Sequence, residues 1–174
     1  MKMFWFFLSL FCILSCFATG AETSLVRQRL GNTKFYISIP SDFEINRKEG
    51  LDFTVYYFNL TDTISKGGFS FGLYFGSHPS SYKKACEECD VKTIEAKLLN
   101  KPCEWTIYSC DDSYYIETVI KKNDSDYVEL DEDVHGEGTI LLISENLIHA
   151  FGYANKTNDI DLILKIFSTF EEGD

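Results

Sequence analysis

The sequence predicts an α+β fold, built mainly of antiparallel sheet with a C-terminal helix packed on it. Short aromatic and β-branched runs recur between turn signals from Lys34 onward. In the middle of the chain the apolar positions alternate with a period of two, the strand period. Only the last apolar run, from Ile160 to Phe170, changes to helical spacing.

The first strand is read at Lys34–Ile39 and is stopped by Pro40-Ser41-Asp42. Phe53–Phe58 is the second. Phe69–Phe75 is the third, entered through Gly67-Gly68 and closed by Gly76 and Pro79. Next come three alternating sets: Ile94, Ala96 and Leu98; Cys103, Trp105 and Ile107; Ile116, Thr118 and Ile120. A turn at Asn100-Lys101 places Ile94 opposite Ile107, Ala96 opposite Trp105 and Leu98 opposite Cys103. A turn at Asp111-Asp112 places Ile107 opposite Ile116, Trp105 opposite Thr118 and Cys103 opposite Ile120. Both registers gather apolar side chains on one face, as a buried meander requires. A second hairpin is expected from Thr139–Ile143 and Leu147–Tyr153 around Glu145-Asn146. In the closing helix Thr157 or Asn158 is the expected cap, and Asp159 and Asp161 suit the positive end of the dipole. Ile160, Ile163, Leu164, Phe167 and Phe170 make its apolar face.

Phe4–Leu14 is an apolar run interrupted only by Ser9 and preceded by Lys2. It is about half the roughly 20 residues that cross a bilayer core, so residues 1–20 read as a signal peptide. Ala18-Thr19-Gly20 suits ordinary cleavage before Ala21. Ile13-Leu14-Ser15-Cys16 instead resembles a bacterial lipobox, which would lipidate Cys16 and anchor the domain without a membrane span. Residues 21–32 read as a polar leader and 33–172 as a single globular domain. Asn59-Leu60-Thr61, Asn123-Asp124-Ser125 and Asn155-Lys156-Thr157 are glycan acceptors if the host glycosylates.

Without Lys2 the chain carries 15 basic and 27 acidic residues, a net charge of −12. Such a surface repels nucleic acid and anionic headgroups, so no nucleic-acid partner is expected, and membrane contact only through a lipid at Cys16.

Phe35-Tyr36-Ile37-Ser38-Ile39-Pro40-Ser41-Asp42-Phe43 resembles the opening strand of the PsbP-like superfamily, and Leu164-Lys165-Ile166-Phe167-Ser168-Thr169-Phe170 resembles its closing helix. The resemblance covers about twenty residues at the two ends of the domain. It implies an antiparallel sheet flanked by helices, and a role in partner binding or assembly; it assigns no residue.

Cys12 and Cys16 fall in the leader, leaving Cys86, Cys89, Cys103 and Cys110. An exported chain with an even set is expected to form disulfides. Cys103 and Cys110 share one strand, about 23 Å apart at about 3.3 Å per residue, on opposite faces. In the first register Cys110 lies opposite Val91, with Cys89 one diagonal step away on the same face. Cys89–Cys110 is therefore the expected bridge, Cys86 the competing partner, and Cys103 a buried free thiol. Cys86-Glu87-Glu88-Cys89 has redox spacing, but its two carboxylates oppose a reactive thiolate. The four cysteines lack the second short pair of a zinc ribbon.

The acidic stretch from Asp124 to Glu137 imitates a calcium loop at Asp131, Asp133 and His135, but Leu142 stands where a bidentate Glu is needed. His78 and His149 are placed at a turn and in an apolar strand, and no nucleophile-elbow motif accompanies them. No catalytic, cofactor or metal residue is assigned. The expected function is a non-enzymatic exported or envelope-anchored domain that binds a protein or small ligand. An extracytoplasmic hydrolase with a dispersed site and a weak calcium-binding module are the alternatives.

Overall fold

The computed structural model describes residues 24–61, 68–121 and 147–173. Among the described residues ten strands and one α-helix lie in the order β1 (Leu25–Arg29), β2 (Phe35–Pro40), β3 (Phe43–Glu49), β4 (Phe53–Leu60), β5 (Phe69–Gly76), β6 (Asp90–Leu98), β7 (Lys101–Cys110), β8 (Ser113–Lys121), β9 (Leu147–Ala154), α1 (Thr157–Phe167) and β10 (Glu171–Glu172). The predicted class holds: antiparallel sheet dominates, with one C-terminal helix. A seven-stranded sheet runs β3-β4-β5-β9-β8-β7-β6, and a three-stranded sheet runs β1-β2-β10.

The helix and the small sheet supply side chains to one face of the large sheet. Phe167 of α1 packs edge-on to Phe71 of β5 at 5.5 Å and stacks on Trp105 of β7 at 5.3 Å. Phe35 of β2 meets Phe75 of β5 at 5.5 Å and Phe170 at 5.3 Å. Ile37, Ile39, Phe58, Leu73, Ile116, Ile148, Ile163 and Ile166 complete this core, all wholly buried. Gly152 of β9 lets the helix come close, since a Cβ there would lie 2.9 Å from Ile163 Cδ1. Burial of these apolar surfaces is the main force joining the layers.

Several expectations are corrected in detail. β1 lies inside the segment read as a polar leader: Leu25–Arg29 pairs with β2, and Leu30 is wholly buried. β3 falls in a stretch read as connection, because only Phe43 and Ile45 of its seven residues are shielded. The turn between β6 and β7 is at Leu99-Asn100, where both residues have positive φ (51° and 57°), and not at Asn100-Lys101. The register moves by two: Ile94 faces Trp105, Ala96 faces Cys103 and Leu98 faces Lys101. The Ile107–Ile116 pair and the turn at Asp111-Asp112 stand as read.

Both edges of β9 are occupied, by β5 and by β8. It is therefore not paired as the expected hairpin required; Thr139–Ile143 lies outside the described residues. In α1 the cap is Lys156, which makes no side-chain capping bond, in place of Thr157 or Asn158. Ile166 is buried in the helix face where Leu164 was expected, and Leu164 is only half-buried.

Candidate functional site

The other face of the large sheet has a different composition. Alternation along each strand directs Phe53 and Tyr57 of β4, Tyr74 of β5, His149, Phe151 and Tyr153 of β9, Tyr115 and Glu117 of β8 and Tyr108 of β7 to this side. The rings touch across strands. Phe53 stacks on Tyr74 at 5.7 Å, Tyr57 meets Phe151 edge-on at 6.0 Å, and Tyr115 meets Tyr153 at 5.1 Å. Tyr82, from the connection between β5 and β6, packs on Tyr115 at 5.0 Å. Gly72 makes room at the centre, since a Cβ there would lie 2.6 Å from the Phe151 ring. Tyr57, Tyr74, Tyr115, Phe151 and Tyr153 are all half-buried, and the Lys48 ammonium sits over the Tyr57 ring at 5.3 Å.

Beside the rings lies a polar knot. The Glu117 carboxylate accepts hydrogen bonds from Ser81 Oγ (2.6 Å) and Tyr108 OH (2.9 Å) on one oxygen. On the other it meets the Tyr82 backbone N–H (3.1 Å) and His149 Nε2 (3.2 Å). Burial opposes the charge of Glu117, but the donors from His149, Ser81, Tyr82 and Tyr108 outweigh it and hold the carboxyl down at about 2. An ionised carboxylate only accepts, so His149 carries its proton on Nε2. The same anion, after burial itself, helps push the Tyr82 hydroxyl up to about 12.

This arrangement pins the β5–β6 connection to the sheet. Ser81 Oγ also accepts from the Lys83 N–H at the start of the 3-10 turn Tyr82–Lys84. Serine, glutamate and histidine are thus present, but the carboxylate lies between the other two. A triad nucleophile must give its proton to the imidazole, whereas Ser81 and His149 are bonded to opposite oxygens of Glu117. A cleft of about 310 Å³ opens next to the knot, lined by Ser81, Glu104, Thr106, Glu117, Thr118 and Val119 among others. Thr118 Oγ1 donates to the Glu104 carbonyl at 2.6 Å across it.

Cys89 and Cys110 form a disulfide with Cα atoms 4.6 Å apart. The corrected register accounts for it: Asp90 pairs with Ser109, which puts Cys89 directly opposite Cys110. Cys103 is free as expected, but half-buried, donating to the Ala96 carbonyl at 3.4 Å. Burial raises its thiol, against the lowering influence of Thr118, Trp105 and the Leu98 backbone. Cys86 is free and buried.

His78 lies 3.6 Å from Asp52 on the exposed surface, far from nucleophile geometry. Cys16, the apolar run Phe4–Leu14 and the loop residues Asp131, Asp133 and His135 lie outside the described residues. His149 in its apolar strand is legible in the sequence, whereas Glu117 is not among the residues the sequence singles out. The available signal was a lone carboxylate between Ile116 and Thr118, on the strand face opposite the apolar set. Comparison with family models, curated proteins and solved structures returned no match.

Proposed function

We propose that this is a non-enzymatic binding domain working outside the cytoplasm, and that its recognition surface is the aromatic face of the seven-stranded sheet. The observation that carries the reading is the partly exposed row of rings on that face, beside an ionised carboxylate held by four hydrogen-bond donors. Half-buried tyrosines offer apolar area and a hydroxyl at small entropic cost, which suits recognition of a protein or a small ligand. The bound state of Glu117 supports a scaffold role over acid–base work, because all four of its contacts come from donors.

The signal-like leader and the Cys89–Cys110 bridge support export, with lipidation at Cys16 or cleavage before Ala21 as the two routes. The likeness at Phe35–Phe43 and Leu164–Phe170 supports a PsbP-like sandwich and an assembly role. In the structure those two segments adjoin, with Thr169 Oγ1 accepting from the Ser38 N–H at 2.8 Å.

The test is site-specific photocrosslinking in the native host from Tyr57, Phe151 and Tyr153, with Leu51 and Val26 as controls. Crosslinks to another molecule from the three ring positions, absent from the controls and lost in Tyr57→Ala with Phe151→Ala, are expected. Crosslinks equal at all positions, or confined to this chain's own peptides, would contradict the reading.

A further inference from the structure

We propose that Cys86 is an exchange partner for the Cys89–Cys110 bridge, so that the domain has a second disulfide isomer, Cys86–Cys89, with Cys110 released as a thiol. The proposal stands on a group of three sulfurs all lying within 4.8 Å of one another. Two are already bonded to each other and the third is a free thiol, so the group is an exchange site before it is a cation site. Cys86 and Cys89 are also held in one turn, the Cys89 N–H donating to the Cys86 carbonyl at 3.2 Å. That turn keeps the ends of a Cys-x-x-Cys loop close enough to join.

The step needs no oxidant. The Cys86 thiol gives its proton to solvent, and the thiolate attacks Cys89 Sγ. The Cys89–Cys110 bond breaks as the Cys86–Cys89 bond forms. Cys110 leaves with the electron pair and takes up a proton, so one disulfide and one thiol remain throughout.

Burial first, and the Glu117 anion second, raise the Cys86 thiol. Little thiolate is therefore present in the closed fold, and exchange is slow until the connection lifts. The two states differ in what they hold. Cys89–Cys110 clamps β6 to the end of β7. Cys86–Cys89 frees that clamp and cross-links the connection to itself, four residues beyond the Tyr82 N–H that binds Glu117. Cys110 then stands as a half-buried thiol on the aromatic side of the sheet, before the Asp111-Asp112 turn.

The experiment uses the full chain carrying Cys103→Ser, equilibrated in a glutathione redox buffer, quenched by alkylation and mapped without reduction. Cys86 and Cys89 share one tryptic peptide between Lys84 and Lys92, so the new isomer is a looped peptide with alkylated Cys110. The expected result is both isomers, with Cys86→Ala slowing the appearance of alkylated Cys110 about tenfold. Cys110→Ser is expected to oxidise to Cys86–Cys89 in the same buffer. A lone Cys89–Cys110 bridge with Cys86 always alkylated, an unchanged rate in Cys86→Ala, or Cys110→Ser left with two free thiols would each overturn the proposal.

Discussion

The two faces of the seven-stranded sheet are both aromatic, yet they are built to different rules. On the inner face, under the helix and small sheet, Phe58 stacks on Phe71 at 4.9 Å, and Phe71 in turn meets Phe43, Phe69 and Phe167. On the outer face most rings are tyrosines, partly exposed, and a buried carboxylate and histidine sit among them. On each face a glycine admits a close neighbour: Gly152 lies under the helix, Gly72 under a single ring. The lesson is that aromatic content alone does not mark core. What separates the faces is whether a second layer covers the rings.

The comparison is sharpest where a ring is lost. Phe71→Ala empties the centre of the inner face, and the expected cost is about 3–5 kcal/mol, read by denaturant unfolding. A similar loss from Tyr57→Ala would show that the outer rings are core after all.

Breaking the bridge comes next. Cys89→Ser with Cys110→Ser reopens a loop of 21 residues, and about 3 kcal/mol of stability should disappear. Addition of a reductant to the unmutated chain should reproduce most of that loss; no change on reduction would separate the bridge from stability.

Glu117→Gln should cost about 2–3 kcal/mol, because whichever oxygen becomes an NH2 then faces donors, and the Tyr82 N–H or the tyrosine and serine hydroxyls lose their acceptor. The pH dependence carries the sign. The folded carboxyl titrates at about 2, against 4.5 unfolded, so its stabilisation is complete above 4.5 and falls away as pH drops towards 2. Over that window the native chain should lose about 3 kcal/mol that the Gln variant does not. Parallel acid unfolding curves would refute the ionised assignment.

The chain's sequence made some of this visible and hid the rest for identifiable reasons. The pairing of Ile107 with Ile116 could be read because Asp111-Asp112 is ordinary turn chemistry and both flanking strands alternate cleanly. The β6–β7 register could not, because a leucine at positive φ opens its turn and leucine gives no such signal. The error was two residues, which preserves faces, so the expected Cys89–Cys110 bridge survived and in fact became a direct pair. Strands β1 and β3 were missed because exposed charged residues such as Arg27, Arg47 and Lys48 interrupt the apolar pattern at the sheet margins. Glu117 was missed because its partners, Ser81, Tyr108 and His149, come from three separate segments, and only the fold brings them together.

The smallest stability effect belongs to the outer face. Tyr57→Ala, losing one edge-on contact and a partly exposed ring, should cost about 1 kcal/mol or less, with the melting curve still cooperative.

The claim that one face builds the fold and the other meets a partner is tested most directly by hydroxyl-radical footprinting, comparing the purified chain with the same chain in its native host. Tyr57, Phe151 and Tyr153 should react readily in the purified chain and become protected at least about fivefold in the host, while Phe71 and Phe167 stay protected in both. Equal reactivity of the outer rings in the two settings, or their protection already in the purified chain, would contradict the account.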